Sequence, residues 1–487
     1  MRPSATAGVL GRTGLSAAAG LKVLLISAFD LGHQPFGLAS PAAWLAAEGA
    51  EVACLDLAIQ RLDDDKVRAA DLIGFYLPMH TATRILAGVI PRVRELNRGA
   101  HLCAYGLYAP VMAELLWRIG VDSVIGGEFE EPLVAQAREL RSGSVPQRAT
   151  RLPVVSLGRQ DFQIPDRTDL PSLSQYASLI MPDGSRRTVG YTEATRGCKH
   201  MCRHCPIVPV YDGHFRVVQR DVVLADIRQQ VAAGAQHITF GDPDFFNGPA
   251  HAVSLVKALH AEFPEVTYDA VIKVEHLVRY ADRLPVLHDT GCILITTAVE
   301  SVDDHILEIF DKRHTRGDFV AAEEALRKLG IGMNPTFVAF NPWTTLDGYL
   351  EFLACIYELG LVENVAPVQY AIRLLIPDGS KLLELSEVAA LVEPFDYGSL
   401  VHPWAHRDPA VDGLQRDVLA LAAAVVATHA PRAEFFSDAW ALANQAAGRP
   451  GRRRPDKARA VCTPVPLLSE PWYCCAEPTE TQLAPPV

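Results

Sequence analysis

The sequence has little of three features that each mark a class of protein. No apolar run approaches the ~18 residues that span a bilayer, since the run from Val418 to Val426 is far too short. Basic residues are in deficit, with 45 Lys and Arg against 57 Asp and Glu and a net charge of −12, so the basic face of a nucleic-acid or anionic-membrane binder is not expected. Ten cysteines in 487 residues are too few for a disulfide scaffold. We therefore expect a cytoplasmic protein with no nucleic acid and no membrane among its partners.

The composition is that of a globular protein with several cores. The chain is 49% hydrophobic and 21% charged, and its length corresponds to roughly three domains on a prior of about 150 residues each. Its cysteines are unevenly placed, with three between positions 198 and 205 and two adjacent at 474 and 475. In a reducing compartment such clusters indicate metal or redox chemistry rather than disulfides.

The first part of the chain predicts a doubly wound parallel sheet. Residues 1–20 are interpreted as a disordered start. Short apolar runs then alternate with helical stretches over residues 21–143, as in a sheet covered by helices on both faces. Ser40-Pro41 predicts the start of a helix that ends at Gly49. The predicted strands are Val23–Ser27, Glu51–Leu55, Leu72–Leu77, His101–Tyr105 and Ser123–Ile125.

A second alternation predicts a partial barrel. Residues 144–187 are rich in Pro, Arg, Ser and Asp and are interpreted as a linker. Six strand–helix units follow over residues 188–385, so we predict a partial (β/α)6 barrel with its active site at the carboxyl ends of the strands. Residues 386–487 are expected to form a helical region, with a helix over Leu414–Thr428, and a tail. The predicted barrel strands are Thr188–Thr192, His237–Phe240, Thr267–Ile272, Cys292–Ala298, Met333–Ala339 and Val368–Ile372.

The strongest chemical signal is a loop just past the first barrel strand. It runs from Arg196 to Pro206, RGCKHMCRHCP, and spaces its cysteines as Cys-x3-Cys-x2-Cys. Three thiolates on one tight loop can hold three irons of a [4Fe-4S] cluster and leave the fourth iron open for chemistry. The alternatives are a zinc site, to which His200 and His204 could contribute, and unrelated thiols.

This loop resembles the motif of the radical S-adenosylmethionine (radical SAM) superfamily, and the resemblance covers about residues 188–385. It implies that Cys198, Cys202 and Cys205 bind the cluster and that the open iron chelates the amino and carboxylate groups of S-adenosylmethionine (SAM). Reductive cleavage of SAM then yields a 5′-deoxyadenosyl radical, with electrons from a flavodoxin- or ferredoxin-type donor. His204 takes the usually aromatic position that contacts the adenine.

Other positions match the superfamily less closely. Phe240-Gly241-Asp242-Pro243-Asp244-Phe245 resembles the stretch that meets the SAM amino group, which makes Gly241, Asp242 and Asp244 candidate SAM contacts; the alternative is a plain Asp/Pro turn. Glu300 resembles a residue near the SAM ribose or amino group, the alternative being an ion-paired strand end. Arg373, in the predicted sixth strand, points inward to hold a carboxylate or else forms a structural ion pair.

The amino-terminal domain resembles the flavodoxin-like, cobalamin-binding-type domain that precedes the barrel in one class of these enzymes. The class motif Asp-x-His-x-x-Gly supplies a cobalt ligand. Here the loop from Asp30 to Gly37 is one residue too long on each side of its histidine, so we interpret His33 as a polar loop residue. Cobalamin is a possible further cofactor, since some members of the class bind it without this histidine and others keep the domain as a support.

The carboxyl-terminal tail carries a second unusual motif, Cys474-Cys475-Ala476-Glu477-Pro478. Adjacent thiols are a redox pair, a clamp for a soft metal or metalloid, or incidental thiols on a chain end. With the run from Arg373 to Pro377, the tail resembles the CUAEP/CCAEP-tail radical SAM (seleno)protein family, in which Cys475 stands where other members carry selenocysteine. The resemblance implies that Cys474 and Cys475 take part in catalysis. Cys462 is a third ligand or a buried thiol.

The sequence thus predicts an iron–sulfur enzyme that reductively cleaves SAM and acts with the resulting radical on a small-molecule substrate. The alternative is a thiol or selenol redox enzyme, or one that handles a soft metalloid, in which the cluster relays electrons.

Overall fold

The computed structural model describes residues 20–143, 152–428, 430–451 and 465–469. The predictions for Cys462, Cys474 and Cys475 and for residues 1–19 lie outside the described residues.

The first sheet has six parallel strands in the order β2-β1-β3-β4-β5-β6. Neighbouring side chains of β1 enter different cores, Leu24 and Ile26 on one face and Val23 and Leu25 on the other, as the alternation of a strand requires. The predicted doubly wound sheet is confirmed. Its elements are β1 Lys22–Ser27, α1 Phe36–Ala47, β2 Glu51–Asp56, α2 Asp64–Ala69, β3 Leu72–Tyr76, α3 His80–Leu96, β4 His101–Tyr105, α4 Ala113–Arg118, β5 Ser123–Gly127, α5 Glu130–Arg141 and β6 Val154–Ser156.

Helix α1 begins earlier than the Ser40-Pro41 pair predicts. It starts at Phe36 and contains Pro41 in its interior. Proline has no N–H, so the carbonyl of Gly37 four residues earlier has no helical donor. That carbonyl accepts a hydrogen bond from the Tyr105 hydroxyl at 2.8 Å, and this contact from β4 compensates for the proline.

The second sheet is the partial barrel, with strand order β14-β13-β12-β11-β8-β7-β15. Strands β8 and β11 to β14 are parallel, β7 is antiparallel to β8, and β15 is antiparallel to β7. Strands β9 and β10 form a separate hairpin. The elements are β7 Ser178–Ile180, β8 Arg186–Thr192, β9 Thr195–Gly197, α6 Val208–Tyr211, β10 Phe215–Val217, α7 Arg220–Ala232, β11 His237–Phe240, α8 Pro249–Glu262, β12 Thr267–Val271, α9 Val274–Arg279, α10 Leu284–Asp289, β13 Cys292–Glu300, α11 Asp304–Ile309, α12 Arg316–Leu329, β14 Gly332–Phe337, α13 Leu346–Glu358, α14 Ser386–Ala389, α15 Pro409–Thr428, α16 Arg432–Ala446 and β15 Leu467–Leu468.

The sixth predicted barrel strand, Val368–Ile372, does not form. Residues Pro367–Tyr370 make a short 3-10 helix, and a single bridge between Phe340 and Arg373 continues the sheet. Pro367 favours this outcome because its fixed φ suits the first turn of a helix and it has no N–H to donate to a neighbouring strand.

The segment interpreted as a linker contributes to both sheets. Strand β6 extends the first sheet and β7 extends the second, so the two sheets are joined by paired backbone rather than by a free connection. Helices in the described ranges all fall short of the combined length and apolar character that a membrane span needs.

Candidate active site

One cavity of about 310 Å³ lies between the carboxyl ends of the strands of both sheets. Loops after β1, β3, β4 and β5 form one wall, and the ends of β8, β11, β12, β13 and the cysteine loop form the other. This is the edge at which ligands collect in parallel α/β sheets. The wall residues on which the site depends are Asp30, Tyr76, Tyr108, Phe129, Tyr191, Glu193, Cys198, Cys202, His204, Cys205, Gly241, Asp242, Lys273, Glu300 and Lys312.

The loop with the three cysteines is held at its start by Asn247. The loop leaves β9 through Gly197, whose φ of 72° lies in the left-handed region and whose Cβ position is blocked by the Tyr211 ring. Asn247 Nδ2 donates to the Gly197 carbonyl at 3.2 Å, and its Oδ1 accepts from the Lys199 N–H at 3.3 Å. The chain therefore turns sharply just before Cys198.

The other end of the loop is held by the segment after β13. The Arg203 N–H donates to the Phe310 carbonyl at 3.0 Å, and its guanidinium donates to the Ile309 carbonyl at 2.7 Å. Cys198, Cys202 and Cys205 all line the cavity between these two anchors. A short, doubly anchored loop with three sulfur donors fits a [4Fe-4S] cluster with one open iron.

Ligation has to overcome burial of the thiols. Burial raises the pKa of Cys198 to about 11 and raises that of Cys205 further, so the free thiols are protonated at neutral pH. Iron is coordinated by the thiolate form, so binding of the cluster would release these protons. The described cysteines outside the loop, at 54, 103, 292 and 355, are buried and none lines the cavity.

The zinc alternative retains a geometric basis. Donor atoms of Cys198, His200 and Asp244 lie within 4.8 Å of one another, a group with the composition of a metal site. These donors draw on only one of the three cysteines, so such a site leaves Cys202 and Cys205 unexplained.

Glu300 joins His204 and Lys312 in a buried cluster at the end of β13. Its Oε1 lies 3.1 Å from His204 Nε2 and 3.2 Å from Lys312 Nζ. Burial opposes ionisation of Glu300, but the charges of Lys312 and His204 outweigh it and lower its pKa to about 2. Glu300 also has a φ of 68°, a strained conformation for a non-glycine residue. The carboxylate is therefore ion-paired, as the alternative interpretation held, and it also lines the cavity.

Gly241 and Asp242 follow β11 on the cavity wall. A Cβ at Gly241 would overlap the Tyr191 ring, so only glycine fits. Asp242 accepts hydrogen bonds from the Ala194 N–H at 2.8 Å and the Thr195 hydroxyl at 2.5 Å. Burial raises its pKa to about 7 despite these bonds. Asp242 thus ties the end of β11 to the chain that enters the cysteine loop.

Comparison with known proteins agrees with this geometry. Residues 192–345 match the family model described as the Radical SAM superfamily. The chain contains a radical SAM domain. This domain implies a [4Fe-4S] cluster and SAM, as the cysteine loop predicts.

Two curated relatives match part of the chain. One is a tRNA-2-methylthio-N(6)-dimethylallyladenosine synthase from Sorangium cellulosum (strain So ce56), 24% identical over 197 residues that cover 35% of this chain and 39% of the relative. The other is a hopanoid C-3 methylase from Methylococcus capsulatus (strain ATCC 33009 / NCIMB 11132 / Bath), 25% identical over 151 residues that cover 31% of this chain and 29% of the relative. The matches thus span well under half of either relative.

Two solved structures share the fold over most of the chain. The cobalamin-dependent SAM radical enzyme OxsB, with aqua-cobalamin and SAM bound, superposes with a TM-score of 0.66 at 14% identity, over 82% of this chain and 66% of that one. The radical SAM methyltransferase TsrM from Kitasatospora setae, with tryptophan and a SAM analogue bound, gives a TM-score of 0.61 at 17% identity, over 79% and 80%. The predicted fold class, a doubly wound domain followed by a radical SAM barrel, is confirmed.

Asp244, which the sequence predicts as a SAM contact, does not line the cavity. It is fully buried. Its Oδ2 lies 2.6 Å from His276 Nδ1 and 3.5 Å from His200 Nε2. Burial would raise its pKa, but these two histidines lower it to about 2. We correct its role to support of the histidines beside the cysteine loop.

Arg373 is also absent from the cavity wall. Its guanidinium binds Asp412 Oδ1 at 2.6 Å and the Trp404 carbonyl at 2.7 Å, and it lies 3.6 Å above the Trp404 ring. The prediction that the Arg373 side chain points inward assumed a sixth strand, in which side chains alternate between the two faces. The 3-10 helix at Pro367–Tyr370 replaces that strand, so the alternation does not apply. The structural ion pair, the other interpretation, is what the structure shows.

His33 of the first sheet packs on the radical SAM domain rather than facing the cavity. Its ring stacks on Tyr191 with centroids 4.8 Å apart, and burial lowers its pKa to about 4. This agrees with its interpretation as a loop residue.

Three cavity residues escaped the sequence argument. Lys273 follows β12 and Asp30 follows β1, while Glu193 comes directly after β8. The rule that sites form at the carboxyl ends of parallel strands would have selected all three. Asp30 entered the sequence argument only as the first residue of the loop compared with the cobalt-ligand motif.

Proposed function

We propose that this protein reductively cleaves SAM and uses the radical on a small-molecule substrate held between its two sheets. The single observation that supports this most is that the three cluster cysteines and the strand ends of both sheets line one cavity. Binding of the cluster alone would need only the cysteine loop of the barrel and no wall from the first sheet. The second wall provides a further surface against which a second molecule can bind.

The described residues have distinct tasks in this proposal. A [4Fe-4S] cluster on Cys198, Cys202 and Cys205, once reduced by a flavodoxin- or ferredoxin-type donor, supplies the electron that cleaves SAM. His204 presents a buried ring beside the third cysteine, held by Glu300 on one side and by Phe310, at 4.6 Å between centroids, on the other. Gly241 leaves room for the Tyr191 ring on the cavity wall, and Glu300 with Lys312 offers both charges to the polar end of SAM.

The proposal includes the cysteine pair of the tail. Strand β15 is antiparallel to β7, which is antiparallel to β8, so β15 runs in the direction of β8 toward the cavity end of the sheet. Ser469, which follows β15, donates its N–H to the Ser178 carbonyl at 2.9 Å, and the adjacent Ala177 donates to the Gly32 carbonyl of the cavity loop at 2.9 Å. Cys474 is five residues further along, a reach of about 16 Å when extended. This direction, with the resemblance to the CUAEP/CCAEP-tail family, supports the tail's participation.

Anaerobic reconstitution tests the proposal. We expect protein with iron, sulfide, SAM and a reductant to form 5′-deoxyadenosine, detected by mass spectrometry, and Cys202→Ser to abolish it. Cys355→Ala, a buried thiol of α13 away from the cavity, is the matched control and should retain it. An intact cluster that leaves SAM uncleaved would contradict the proposal.

A separate experiment tests the tail. Cys475→Ser should preserve SAM cleavage and lose product formation, and mass spectrometry should detect any adduct on Cys474 or Cys475. Turnover that needs Cys475 but not SAM would instead support the thiol or selenol redox alternative.

Cobalamin is a second candidate cofactor, favoured by the position of the first sheet's strand ends on the cavity wall and by the cobalamin in the two similar folds. Among the described residues, no histidine of the first sheet lines that wall; Asp30 does. This wall therefore offers no histidine to ligate the cobalt of cobalamin from below, and the proposed function above does not depend on cobalamin. Absorption spectra of the protein with hydroxocobalamin test this: no binding, or binding without a histidine-ligated spectrum, is expected.

A further inference from the structure

The cavity wall opposite the cysteine loop carries an unsatisfied carboxylate. Asp30, three residues after β1, is 8% exposed and lines the cavity. Its Oδ2 is buried and has no hydrogen-bond partner within the described part of the chain. Buried carboxylates are normally paired, because the charged form is costly without a partner.

A second carboxylate lines the same cavity from the end of β8 and has only a shared cation. Glu193 lines the cavity, and its Oε2 accepts from Arg196 Nε at 2.7 Å. The same guanidinium also contacts Glu130 at 2.7 Å and Glu128 at 3.4 Å. One arginine thus serves three carboxylates, and none of its charge is left over for Asp30.

The two lysines that line the cavity already have partners. Lys312 pairs with Glu300 at 3.2 Å, and Lys273 lies 3.7 Å from Cys202 Sγ and 3.4 Å from Glu275. Burial and the nearby charge of Glu193 raise the pKa of Asp30 well above its ordinary value, which expresses the same lack of a positive partner.

Both walls also carry aromatic rings. Tyr76, Phe129 and Tyr191 line the cavity together with the two carboxylates. Carboxylates combined with the faces of aromatic rings are the chemistry that recognises an organic ammonium group.

We propose that Asp30 and Glu193, which line the cavity from its two walls, bind a protonated amine of the substrate. The inference rests on the proposed function and names its substrate class, an organic amine. In the SAM-binding mode that the superfamily resemblance implies, the amino group of SAM is committed to the open iron, so these two carboxylates serve a second molecule.

Matched probes test the proposal. Reconstituted holoenzyme with SAM is titrated calorimetrically with phenethylammonium and with its uncharged isostere 2-phenylethanol. We expect the wild type to bind the cation at least about tenfold more tightly, and Asp30→Asn to lose that preference. Asp269→Asn, a buried carboxylate outside the cavity wall, is the control and should retain it. Equal binding of the two probes, undetectable binding of the cation, or an unchanged Asp30→Asn variant would overturn the inference.

A thermal melt without any amine gives an independent readout. Replacing a buried carboxyl group that lacks a partner should leave the melting temperature of Asp30→Asn equal to or above that of the wild type. A lower melting temperature would reveal a structural partner for Asp30 and overturn the inference. The same preparations are assayed for 5′-deoxyadenosine: SAM cleavage without cation preference defeats this inference alone, and cation preference without SAM cleavage defeats the proposed function alone.

Discussion

The Nζ atom of Lys273 lies 3.7 Å from the Sγ atom of Cys202. Lys273 follows β12, is 6% exposed, and has Glu275 Oε2 at 3.4 Å as its other neighbour. A buried positive charge beside a thiolate favours the reduced, more negative form of an iron–sulfur cluster. Lys273 is therefore placed to tune the potential at which SAM cleavage begins.

We expect Lys273→Met to make the midpoint potential of the cluster more negative by several tens of mV, since ~59 mV corresponds to a tenfold change for one electron. Redox titration followed by electron paramagnetic resonance measures this in the absence of SAM. Lys273→Arg keeps the charge and should stay close to the wild type. Equal potentials for the Met variant and the wild type would show that the charge does not act on the cluster.

The second prediction concerns the buried arginine that joins the two sheets. Arg196 of β9 contacts Glu128 and Glu130, which come just after β5 of the first sheet. The rings of Phe129, at 4.8 Å, and Phe162, at 5.0 Å, enclose it. Arg196→Leu leaves its carboxylates without a cation, and we expect a loss of about 3–5 kcal/mol in the free energy of unfolding. Urea unfolding measures it.

An exposed pair provides the control for Arg196. Arg138 binds Glu48 with two hydrogen bonds, at 2.6 and 2.9 Å, but in solvent. Arg138→Leu should change the free energy of unfolding little, because solvent screens such pairs. If both variants lost a similar amount of unfolding free energy, burial would not be the reason that Arg196 stabilises the protein.

Much of the fold follows from continuous apolar runs. β3, Leu-Ile-Gly-Phe-Tyr, is buried at all five positions, which is why the run predicts a parallel strand. Val368 to Ile372 is also buried at all five positions and is apolar apart from Gln369. Pro367 before it removes a donor, however, and the segment becomes a 3-10 helix. The role of Arg373 depended on that strand and was wrong for the same reason.

The site divides in a similar way. Cys198, Cys202 and Cys205 could be selected because ligand spacing along one loop is visible in the chain. Gly241 and Glu300 were selected from the resemblance to the radical SAM superfamily, and all five residues line the cavity. Asp244 was misplaced since the direction of a side chain in the turn after β11 depends on His200 and His276, which are distant in sequence. Asp30 was missed because its cavity exists only when the two sheets meet.

The third prediction concerns Glu300, the shared partner of His204 and Lys312. Glu300→Gln removes the charge that holds both groups and leaves Lys312 buried without a partner. We expect SAM to bind about tenfold more weakly, measured by calorimetry on the reconstituted protein, with iron content unchanged. Loss of iron in parallel with SAM binding would indicate that Glu300 supports the cysteine loop itself rather than SAM.

The last prediction concerns the pH dependence of stability in the protein without cluster or SAM. Burial, the largest effect, raises the pKa of Asp242 to about 7, against 3.8 for an ordinary aspartate. Between these values the folded state holds a proton that the unfolded state has released, so the stabilisation is complete below about pH 4 and is lost as the pH rises through about 7. Within this window the contribution falls by up to ~1.4 kcal/mol per pH unit. Asp242→Asn, which keeps an acceptor for the Ala194 N–H, should remove this slope when urea unfolding is measured at pH 4, 5, 6 and 7. If the variant and the wild type have the same slope, Asp242 is ionised throughout this range in the folded protein, and the hydrogen bonds from Ala194 and Thr195 outweigh its burial.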